Sequence, residues 1–450
     1  MIEKLTLENF LSFKESTEFD FTATQERPKK GYEHIQWFEE INKKKILKSL
    51  FLFGNNGTGK SNFLSAISML SSIICTKSSS KTSEESKIPE TFFKFSVDTL
   101  EKPSRLSIVF HTREIRYTYK IAWHNNTITE EALLKQEGTR KQTEIFNRRF
   151  DEVKDIVTIN FHKKGFNQET KTIIRNNVIK NSSVISVYDD KNFENEDIKN
   201  VYNYFNNIGI FFRLDNIDLA SMLENRKNKD QLKSIIIQLL KDLGSNIIDY
   251  NIETIESKIS DTEGMLLKLL LGEEDAQKRY PNGLKKTHSL RFAHKAADTE
   301  SKTAWLRETE ESLGTLNMIR LIIVFYDACR LRSPIIIDEC AYGIHQQTFG
   351  RILQFFLSTS THAQAFMASQ NLSLMDMEGF RRDTIKLFDK NRTTGVSSCT
   401  KIDLHKYHKN LNILRVYLDN SFGSLPEFPT NEEWKDRLIR YKDIINQVNM

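Results

Sequence analysis

The chain has 450 residues, enough for two or three lobes, and its mean hydropathy of −0.48 with 28% charged residues is that of a soluble globular protein. No run of about 20 apolar residues occurs, which excludes a membrane span, and the net charge of +5 is too balanced to indicate nucleic-acid binding by itself. Four scattered cysteines and a start without an apolar stretch exclude a disulfide framework and a signal peptide, so we expect a cytoplasmic protein.

The first predicted elements are strands. Ile2–Glu8 alternates apolar and polar residues, and residues 10–21 indicate a second strand region. Residues 46–54 end in a continuous apolar run, which is typical of a parallel strand buried on both faces. Apolar residues then recur at helical spacing from Asn62 to Cys75, and the strongly alternating segment 105–135 predicts a β-meander.

The middle of the chain is predicted to be helical from about Asp190 to Ser260. After it, a helix over 317–330 and a buried strand over 333–339 begin a new alternation, continued by a helix at 348–359 and strands at 363–369 and 384–390. Strand and helix therefore alternate at both ends of a helical middle, which predicts one α/β core with an inserted helical lobe. We place the boundaries at 1–185 for the N-terminal lobe, 186–290 for the inserted helical lobe and 291–450 for the C-terminal lobe.

GNNGTGKS, residues 54–61, matches the phosphate-loop pattern G-x-x-x-x-G-K-[ST] between a predicted strand and a predicted helix. Its glycines let backbone N–H groups turn toward phosphate oxygens, and the helix N-terminus adds partial positive charge. Lys60 is expected on the β- and γ-phosphates and Ser61 on Mg²⁺. A glycine-rich turn that matches the pattern by chance is less favoured, because the motif follows a predicted strand and begins a predicted helix. The predicted nucleotide-binding residues are Gly54, Asn55, Asn56, Gly57, Thr58, Gly59, Lys60, Ser61 and Asn62.

Two acidic residues follow three isoleucines in SPIIIDEC, residues 333–340. Such a run fits a strand buried on both faces, and the carboxyl edge of an α/β sheet is where ligands bind. We expect Asp338 to help hold Mg²⁺ and Glu339 to act as general base on the attacking water. Solvated acids at a strand end are the alternative, which the phosphate loop makes less favoured.

A third motif, ESLGT, opens the helix before this strand. Ser312 is a good helix N-cap, Gly314 permits close backbone approach, and Thr315 completes the motif. A helix start of this kind binds phosphate, and in a head-to-tail dimer it would close over the ATP of the partner. An ordinary capped helix would be preferred if the segment stood alone, but its place ahead of the carboxylate pair favours phosphate binding.

The order of these motifs resembles the ABC-type ATPase heads of SMC-like proteins, and is most similar to the AbiL-like abortive-infection ATPases of bacterial phage defence, such as those of PARIS systems. The residues that carry the resemblance are IEKLTLENFLSF (Ile2–Phe13), ESLGT (Glu311–Thr315), RRDTI (Arg381–Ile385) and YLDNSFGSLP (Tyr417–Pro426). It covers residues 1–75 and about 290–428, so the middle rests on coarse pattern alone.

The resemblance implies a P-loop ATPase that binds ATP and Mg²⁺ and forms a homodimer or higher oligomer through its nucleotide sites. It also implies a sensor or scaffold that controls a separate effector, such as a toprim-type nuclease or another toxin, in response to a phage-encoded trigger. One alternative is an SMC-like DNA-maintenance ATPase that binds duplex DNA, although no long coiled-coil pattern is present. A pseudo-ATPase that only binds nucleotide is a third possibility.

One position departs from the family pattern. Where relatives carry a switch histidine that reaches toward the γ-phosphate, this chain has Gln370 within MASQNLSLMD. A glutamine can still donate a hydrogen bond, but it cannot become a cation. We therefore expect Gln370 to act in catalysis beside Lys60 and Glu339, with slow turnover; the alternative is a solvent-facing glutamine without a role.

Overall fold

The computed structural model describes residues 1–76, 87–162, 165–191, 193–224, 226–273, 277, 280, 284–297, 302–401, 412–420 and 429–448. Strands and α-helices are numbered separately in chain order. The strands are β1 (Ile2–Glu8), β2 (Thr17–Asp20), β3 (Phe38–Ile41), β4 (Lys44–Leu47), β5 (Ser49–Phe53), β6 (Ser104–Thr112), β7 (Ile115–His124), β8 (Thr127–Glu137), β9 (Thr143–Asp151), β10 (Ile156–Phe161), β11 (Gly209–Phe211), β12 (Ile247–Lys258), β13 (Leu284–Lys295), β14 (Thr303–Arg307), β15 (Pro334–Ile337), β16 (Gln364–Ala368), β17 (Ile385–Lys390) and β18 (Ser397–Lys401). The helices are α1 (Lys60–Cys75), α2 (Val97–Leu100), α3 (Gln168–Asn177), α4 (Val187–Asp190), α5 (Glu196–Asn206), α6 (Leu219–Glu224), α7 (Lys229–Asp242), α8 (Asp261–Leu271), α9 (Leu313–Leu331), α10 (Gln346–Thr359), α11 (Ile413–Leu418) and α12 (Asn431–Val448).

A six-stranded sheet forms the centre of the molecule, in the order β11-β15-β16-β5-β17-β18. The first five strands run parallel and β18 pairs antiparallel with β17. Every residue of β5 is buried, as are those of β15 and β16. Leu50 and Leu52 belong to the core that includes α1, whereas Phe51 and Phe53 belong to the core that includes α9 and α10. This burial on both faces explains the uninterrupted apolar runs of the sequence.

A seven-stranded antiparallel sheet makes up most of the N-terminal part, in the order β10-β9-β8-β7-β6-β1-β2. Strands β6 to β8 form the meander that the alternation over 105–135 predicts, and β9 and β10 extend it beyond the predicted segment. Gln364, buried in β16, joins this sheet to the central one: its Oε1 accepts from Ile2 N at 2.7 Å, and its Nε2 donates to Ile2 O at 3.1 Å and Leu47 O at 2.9 Å. The first strand of the chain is therefore fixed to the nucleotide-binding sheet by side-chain hydrogen bonds.

The middle of the chain is only partly helical. Helices α4 to α8 lie between residues 186 and 290, but β11 joins the central sheet beside β15, and β12 pairs with β13 in a three-stranded sheet with β14. The prediction of helix up to Ser260 is therefore wrong at β12. Ile248, Tyr250 and Ile252 recur at every second residue there, the period of a strand, and β13 supplies the long partner that stabilises it. The three-lobe division itself stays a prediction.

Membrane-spanning helices, disulfides and metal clusters can be considered for the described parts of the chain. None of the helices in those ranges combines the length and apolar character needed to cross a bilayer. The four cysteines form no disulfide there, and Cys340 is fully buried, which raises the pKa of its thiol. No group of three or more potential metal-ligating His, Cys, Asp or Glu residues occurs among the described residues.

Candidate functional site

The phosphate loop lies between β5 and α1, as predicted. Gly54, Gly57 and Gly59 have φ values of 148°, 77° and 105°, which residues other than glycine rarely adopt. Thr58 Oγ1 donates to Asn55 O at 2.9 Å and closes the turn. The spacing of glycines in the motif is therefore required by the backbone path of the loop, whatever it binds.

Lys60 crosses the loop and lies buried beneath it. Its Nζ donates to Gly54 O at 2.7 Å and to Asn55 O at 2.8 Å. Burial lowers the pKa of Lys60 from its ordinary value of 10.5, while Asp338 and Glu339 act to raise it. The buried ammonium attracts the negative charge of a nucleotide phosphate, whereas the two carboxylates repel it unless a divalent cation lies between them.

The base of the loop is held by Ser12, in the first segment that carries the sequence resemblance, and by Ser397 at the start of β18. Asn62 Nδ2 donates to Ser12 Oγ at 2.7 Å, and Ser397 N donates to Ser12 O at 2.7 Å. A Cβ atom on Gly59 would lie 2.6 Å from Ser397 Oγ and 2.9 Å from Ser12 Oγ. Ser12 and Ser397 thus support the loop, and neither belongs to a nucleotide-binding motif. The only sequence signal was the position of Ser12 inside IEKLTLENFLSF.

Ser61 and Asp338 meet across the carboxyl edge of the central sheet. The Ser61 Oγ donates to Asp338 Oδ2 at 2.6 Å, although the two residues are 277 positions apart in the chain. A hydroxyl and a carboxylate oxygen are ligands that Mg²⁺ prefers. Ser61 lies in the first turn of α1, and Asp338 directly follows β15. The residues present therefore fit a magnesium ion, and their roles as ligands stay a prediction.

Glu339 and Gln370 form the second pair of the site. Gln370 Nε2 donates to Glu339 Oε1 at 2.6 Å, which links the ends of neighbouring strands β15 and β16. Glu339 also has a φ of 52°, a conformation that is unusual for a residue with a side chain and that persists where surrounding structure imposes it. The glutamine is exposed, but its amide group is engaged with the carboxylate predicted to be the general base.

A cavity of about 650 Å³ adjoins this pair. Arg213, at the end of β11, lines it together with Glu339 and Gln370, and its guanidinium donates to Asp215 at 3.0 and 2.5 Å. Hydrogen bonding to Asp215 raises the pKa of Arg213, and Glu339 contributes to the same shift. Arg213 is not recognisable from the sequence, because nothing local indicates that β11 lies next to β15.

The ESLGT segment packs against the loop that follows the carboxylate pair. Ser312 caps α9 by accepting from Thr315 N at 3.0 Å. A Cβ on Gly314 would lie 2.6 Å from Gly343 O, so the absence of a side chain at Gly314 is explained by contact within the chain. Ser312 itself is exposed, which leaves the mouth of the helix accessible to a second molecule. Phosphate binding by Ser312, Gly314 and Thr315 stays a prediction.

The late RRDTI motif has a structural role. Arg381 donates two hydrogen bonds of 2.8 Å to Asp383 and also donates to Thr24 O and Glu26 O, and the Arg382 Nε donates to Glu26 Oε1 at 2.5 Å. These buried contacts anchor the segment after β2 beside β17. In YLDNSFGSLP, Tyr417 is buried, whereas residues 421–428 lie outside the described residues.

Residues 49–376, which contain all of the predicted site, match the protein family described as "AAA domain, putative AbiEii toxin, Type IV TA system". No curated protein matches the sequence. Among solved structures, the SMC head domain from Thermotoga maritima is 13% identical over 90% of this chain and 99% of its own, with a TM-score of 0.41. An Smc head domain from Pyrococcus furiosus is 11% identical over 93% and 99%, with a TM-score of 0.38. The recombination mediator protein RecF is 13% identical over 89% and 98%, with a TM-score of 0.30.

The fold is the ABC-type P-loop ATPase head, with an α/β core and a β-rich N-terminal part, as the order of motifs predicted. The family match spans most of the chain and includes the phosphate loop, the carboxylate pair and the ESLGT segment. The chain thus belongs to the family of AAA domains described as putative AbiEii toxins of type IV toxin–antitoxin systems.

Proposed function

We propose that this protein is a slow, Mg²⁺-dependent ATPase of the AbiL-like type that acts as the sensor or scaffold of an antiphage abortive-infection system. The observation that carries the proposal is the convergence of two hydrogen-bonded pairs, Ser61 with Asp338 and Glu339 with Gln370, beside the phosphate loop. The chemistry follows from the position of each group.

Binding begins at the loop. Backbone N–H groups of residues 54–61 and the N-terminus of α1 receive the phosphate oxygens. The Lys60 ammonium exchanges its contacts with Gly54 O and Asn55 O for the β- and γ-phosphates. Ser61 and Asp338 hold Mg²⁺, which when bound neutralises part of the phosphate charge.

The hydrolytic step is assigned to Glu339. Its carboxylate stands at the carboxyl edge of the sheet, where it would orient the attacking water and take up a proton from it. As the water oxygen bonds to the γ-phosphorus, the bond between that phosphorus and the β-phosphate oxygen breaks, and ADP and inorganic phosphate are the products. Gln370 fixes the direction of that carboxylate by donating to Oε1, while Oε2 remains for the water. Because the amide stays neutral, it offers the developing phosphate charge a weaker partner than an imidazolium would. Slow turnover is the consequence.

Dimer closure is the state that this ATPase controls. The exposed Ser312 at the mouth of α9 and the cavity beside Glu339 are open to a second copy of the chain. We place the partner's ESLGT segment over the γ-phosphate, so that bound ATP holds the homodimer closed. Slow hydrolysis makes the closed dimer long-lived, which suits a latch that restrains or releases an effector when a phage product appears.

The effector is assigned to a separate chain, a toprim-type nuclease or another toxin encoded alongside. The AbiL-like sequence resemblance supports a separate effector. The description of the matched family, as a putative toxin of a type IV toxin–antitoxin system, supports a place in such a system. A cytoplasmic location fits such a role.

The test compares the wild-type protein with Lys60→Ala and Glu339→Gln, each expressed with the neighbouring gene and challenged with phage. The Lys60→Ala variant is expected to lose ATP binding and protection. The Glu339→Gln variant is expected to bind ATP but to hydrolyse it at least about 100-fold more slowly than wild type. Full protection by both variants would contradict ATP-driven defence. If the purified protein alone bound duplex DNA with a steep salt dependence, the DNA-maintenance alternative would replace it.

A further inference from the structure

Arg213 comes two residues after β11, the edge strand of the central sheet that lies beside the carboxylate pair. β11 pairs parallel with β15, and the register places Phe211 opposite Ile337. Asp338 N also donates to Phe211 O at 2.9 Å, which keeps the two segments together at the end of the strands. Because neighbouring parallel strands rise by the same distance per residue, the backbone of Arg213 reaches the carboxyl edge at the level of Glu339.

The side chain of Arg213 lines the cavity of about 650 Å³ beside Glu339. Gln370 lines the same cavity from the end of β16, so three adjacent strands contribute one side chain each. Hydrogen bonding to Asp215 is the main cause of the raised pKa of Arg213, and the attraction of Glu339 adds to it. Of the described residues that line the cavity, Arg213 alone carries a positive charge. An anion that enters the cavity therefore meets this guanidinium.

The reaction assigned to this site builds up negative charge next to the cavity. As the γ-phosphoryl group passes to water, its oxygen atoms and the departing β-phosphate oxygen carry that charge, and a cation placed beside them stabilises the transition state. Gln370 offers only a neutral amide, and its Nε2 already donates to Glu339 Oε1 at 2.6 Å. A guanidinium in the cavity supplies the positive charge that this amide lacks.

The contact between Arg213 and Asp215 is one that a phosphate can replace. The guanidinium donates to Asp215 at 3.0 and 2.5 Å, but 57% of the Arg213 side chain is exposed, and exposed ion pairs stabilise a fold only weakly. A guanidinium matches a phosphate with two parallel hydrogen bonds, as it matches a carboxylate. Hydrogen bonding to Arg213 lowers the pKa of Asp215, and the charge of Arg320 acts in the same direction. Asp215 therefore keeps a cation nearby when Arg213 leaves it.

We propose that Arg213 is a catalytic residue of this site, whose guanidinium leaves Asp215 and binds the γ-phosphate of ATP. The proposal rests on the proposed ATPase function and assigns to it a residue outside the sequence motifs. The guanidinium stays protonated throughout. It neutralises charge on the γ-phosphate oxygens while the water oxygen bonds to phosphorus, the bond to the β-phosphate oxygen breaks, and Glu339 takes the proton of the water. It also makes tight binding depend on the third phosphate.

The experiment measures equilibrium binding of ADP and of a non-hydrolysable ATP analogue to the full chain with Mg²⁺, together with the rate of phosphate release from ATP. Arg213→Gln is expected to bind ADP within two-fold of wild type, because ADP has no γ-phosphate. It should bind the ATP analogue at least about ten-fold more weakly and release phosphate at least about 100-fold more slowly. Arg213→Lys should recover part of both losses, since an ammonium keeps the charge but not the paired hydrogen bonds.

Two variants separate loss of the cation from loss of the ion pair. Asp215→Asn breaks the pair but keeps the guanidinium, so its affinity for the ATP analogue should equal or exceed that of wild type. Arg330→Gln is the matched control, because Arg330 is also half-exposed and paired with an aspartate, Asp327, but precedes β15 and so lies at the opposite edge of the sheet. Its binding constants and rate should stay within two-fold of wild type.

The results that would overturn the proposal differ from those that would overturn the ATPase function. If wild type hydrolyses ATP and Arg213→Gln matches it in analogue binding and rate, only the role of Arg213 is wrong. Equal losses of ADP and analogue binding in Arg213→Gln, or the same losses in Asp215→Asn, would assign Arg213 a structural role instead. A wild-type protein that binds no ATP analogue and releases no phosphate would contradict the ATPase function itself, and the role of Arg213 with it.

Discussion

Gln370 donates its side-chain amide to the carboxylate of Glu339 at 2.6 Å, across the ends of two adjacent parallel strands. The residue that replaces the expected switch histidine thus touches the predicted general base directly. This contact disfavours the alternative in which Gln370 only faces solvent, because the amide is held by the carboxylate that is predicted to orient water.

Gln370→His is expected to accelerate ATP hydrolysis about ten-fold, since an imidazole that gains a proton stabilises charge on the transferred phosphoryl group by roughly 1.4 kcal/mol more than a neutral amide does. Steady-state phosphate release gives the rate, and equilibrium titration with an ATP analogue gives the affinity. Gln347→His, on the exposed start of α10, is the matched control. An unchanged rate with intact ATP affinity would rule out the switch role of Gln370.

Gly57 and Gly59 of the phosphate loop differ in what a methyl group would meet. Gly59→Ala adds overlap with Ser12 and Ser397 to the strain of a φ of 105°, so we expect a loss of about 2–4 kcal/mol in the free energy of unfolding and loss of ATP binding. Gly57→Ala has no heavy atom within 4 Å of the new methyl and should cost only about 1–2 kcal/mol. Urea unfolding measures both, and equal losses would contradict the packing argument.

Gln364 is the side chain that fixes β1 to the central sheet. Gln364→Met keeps the length of the side chain but leaves the backbone groups of Ile2 and Leu47 without their partner, so the free energy of unfolding should fall by about 3 kcal/mol. The half-exposed Gln354→Met is the control and should change stability by less than about 0.5 kcal/mol. A similar value for both variants would show that the link between the sheets carries little stability.

Stability should decrease in acid because of one buried cluster on β1. Burial alone would raise the pKa of Glu3, but hydrogen bonds from His111, Arg116 and Lys44 outweigh it and hold the pKa well below its usual 4.5. Burial lowers the pKa of His111 from 6.5, against the attraction of Glu3. The unfolded chain therefore takes up protons that the folded chain does not, first on His111 below pH 6.5 and then on Glu3 below pH 4.5.

The measurement is urea unfolding between pH 7 and pH 3.5. The wild-type free energy of unfolding should decline from about pH 6.5 downward and more steeply below about pH 4.5. In the Glu3→Gln variant the decline below about pH 4.5 should be smaller, because the titrating carboxyl is absent. The Glu101→Gln variant, changed at an exposed position, should show the same decline as wild type. A Glu3→Gln profile parallel to that of wild type would contradict the role of Glu3.

Local sequence determined much of this protein. The phosphate loop, the buried strands β5, β15 and β16, and the capped start of α9 follow from residues that are close in the chain, because glycines, continuous apolar runs and an N-cap serine indicate the local structure where they stand. The family match confirms the ATPase class that these motifs predicted. The strand β12 was missed because its pairing with β13 is a contact between distant segments.

Tertiary structure alone decided which of these residues meet. Ser61 and Asp338 are far apart in the chain, and they come together only because parallel strands end at one edge of the central sheet. The same edge brings Arg213 to the site and Gln370 to Glu339, which no spacing could indicate. The tertiary structure also explains why residue 314 is a glycine, because the carbonyl of Gly343 occupies the space where a side chain would be.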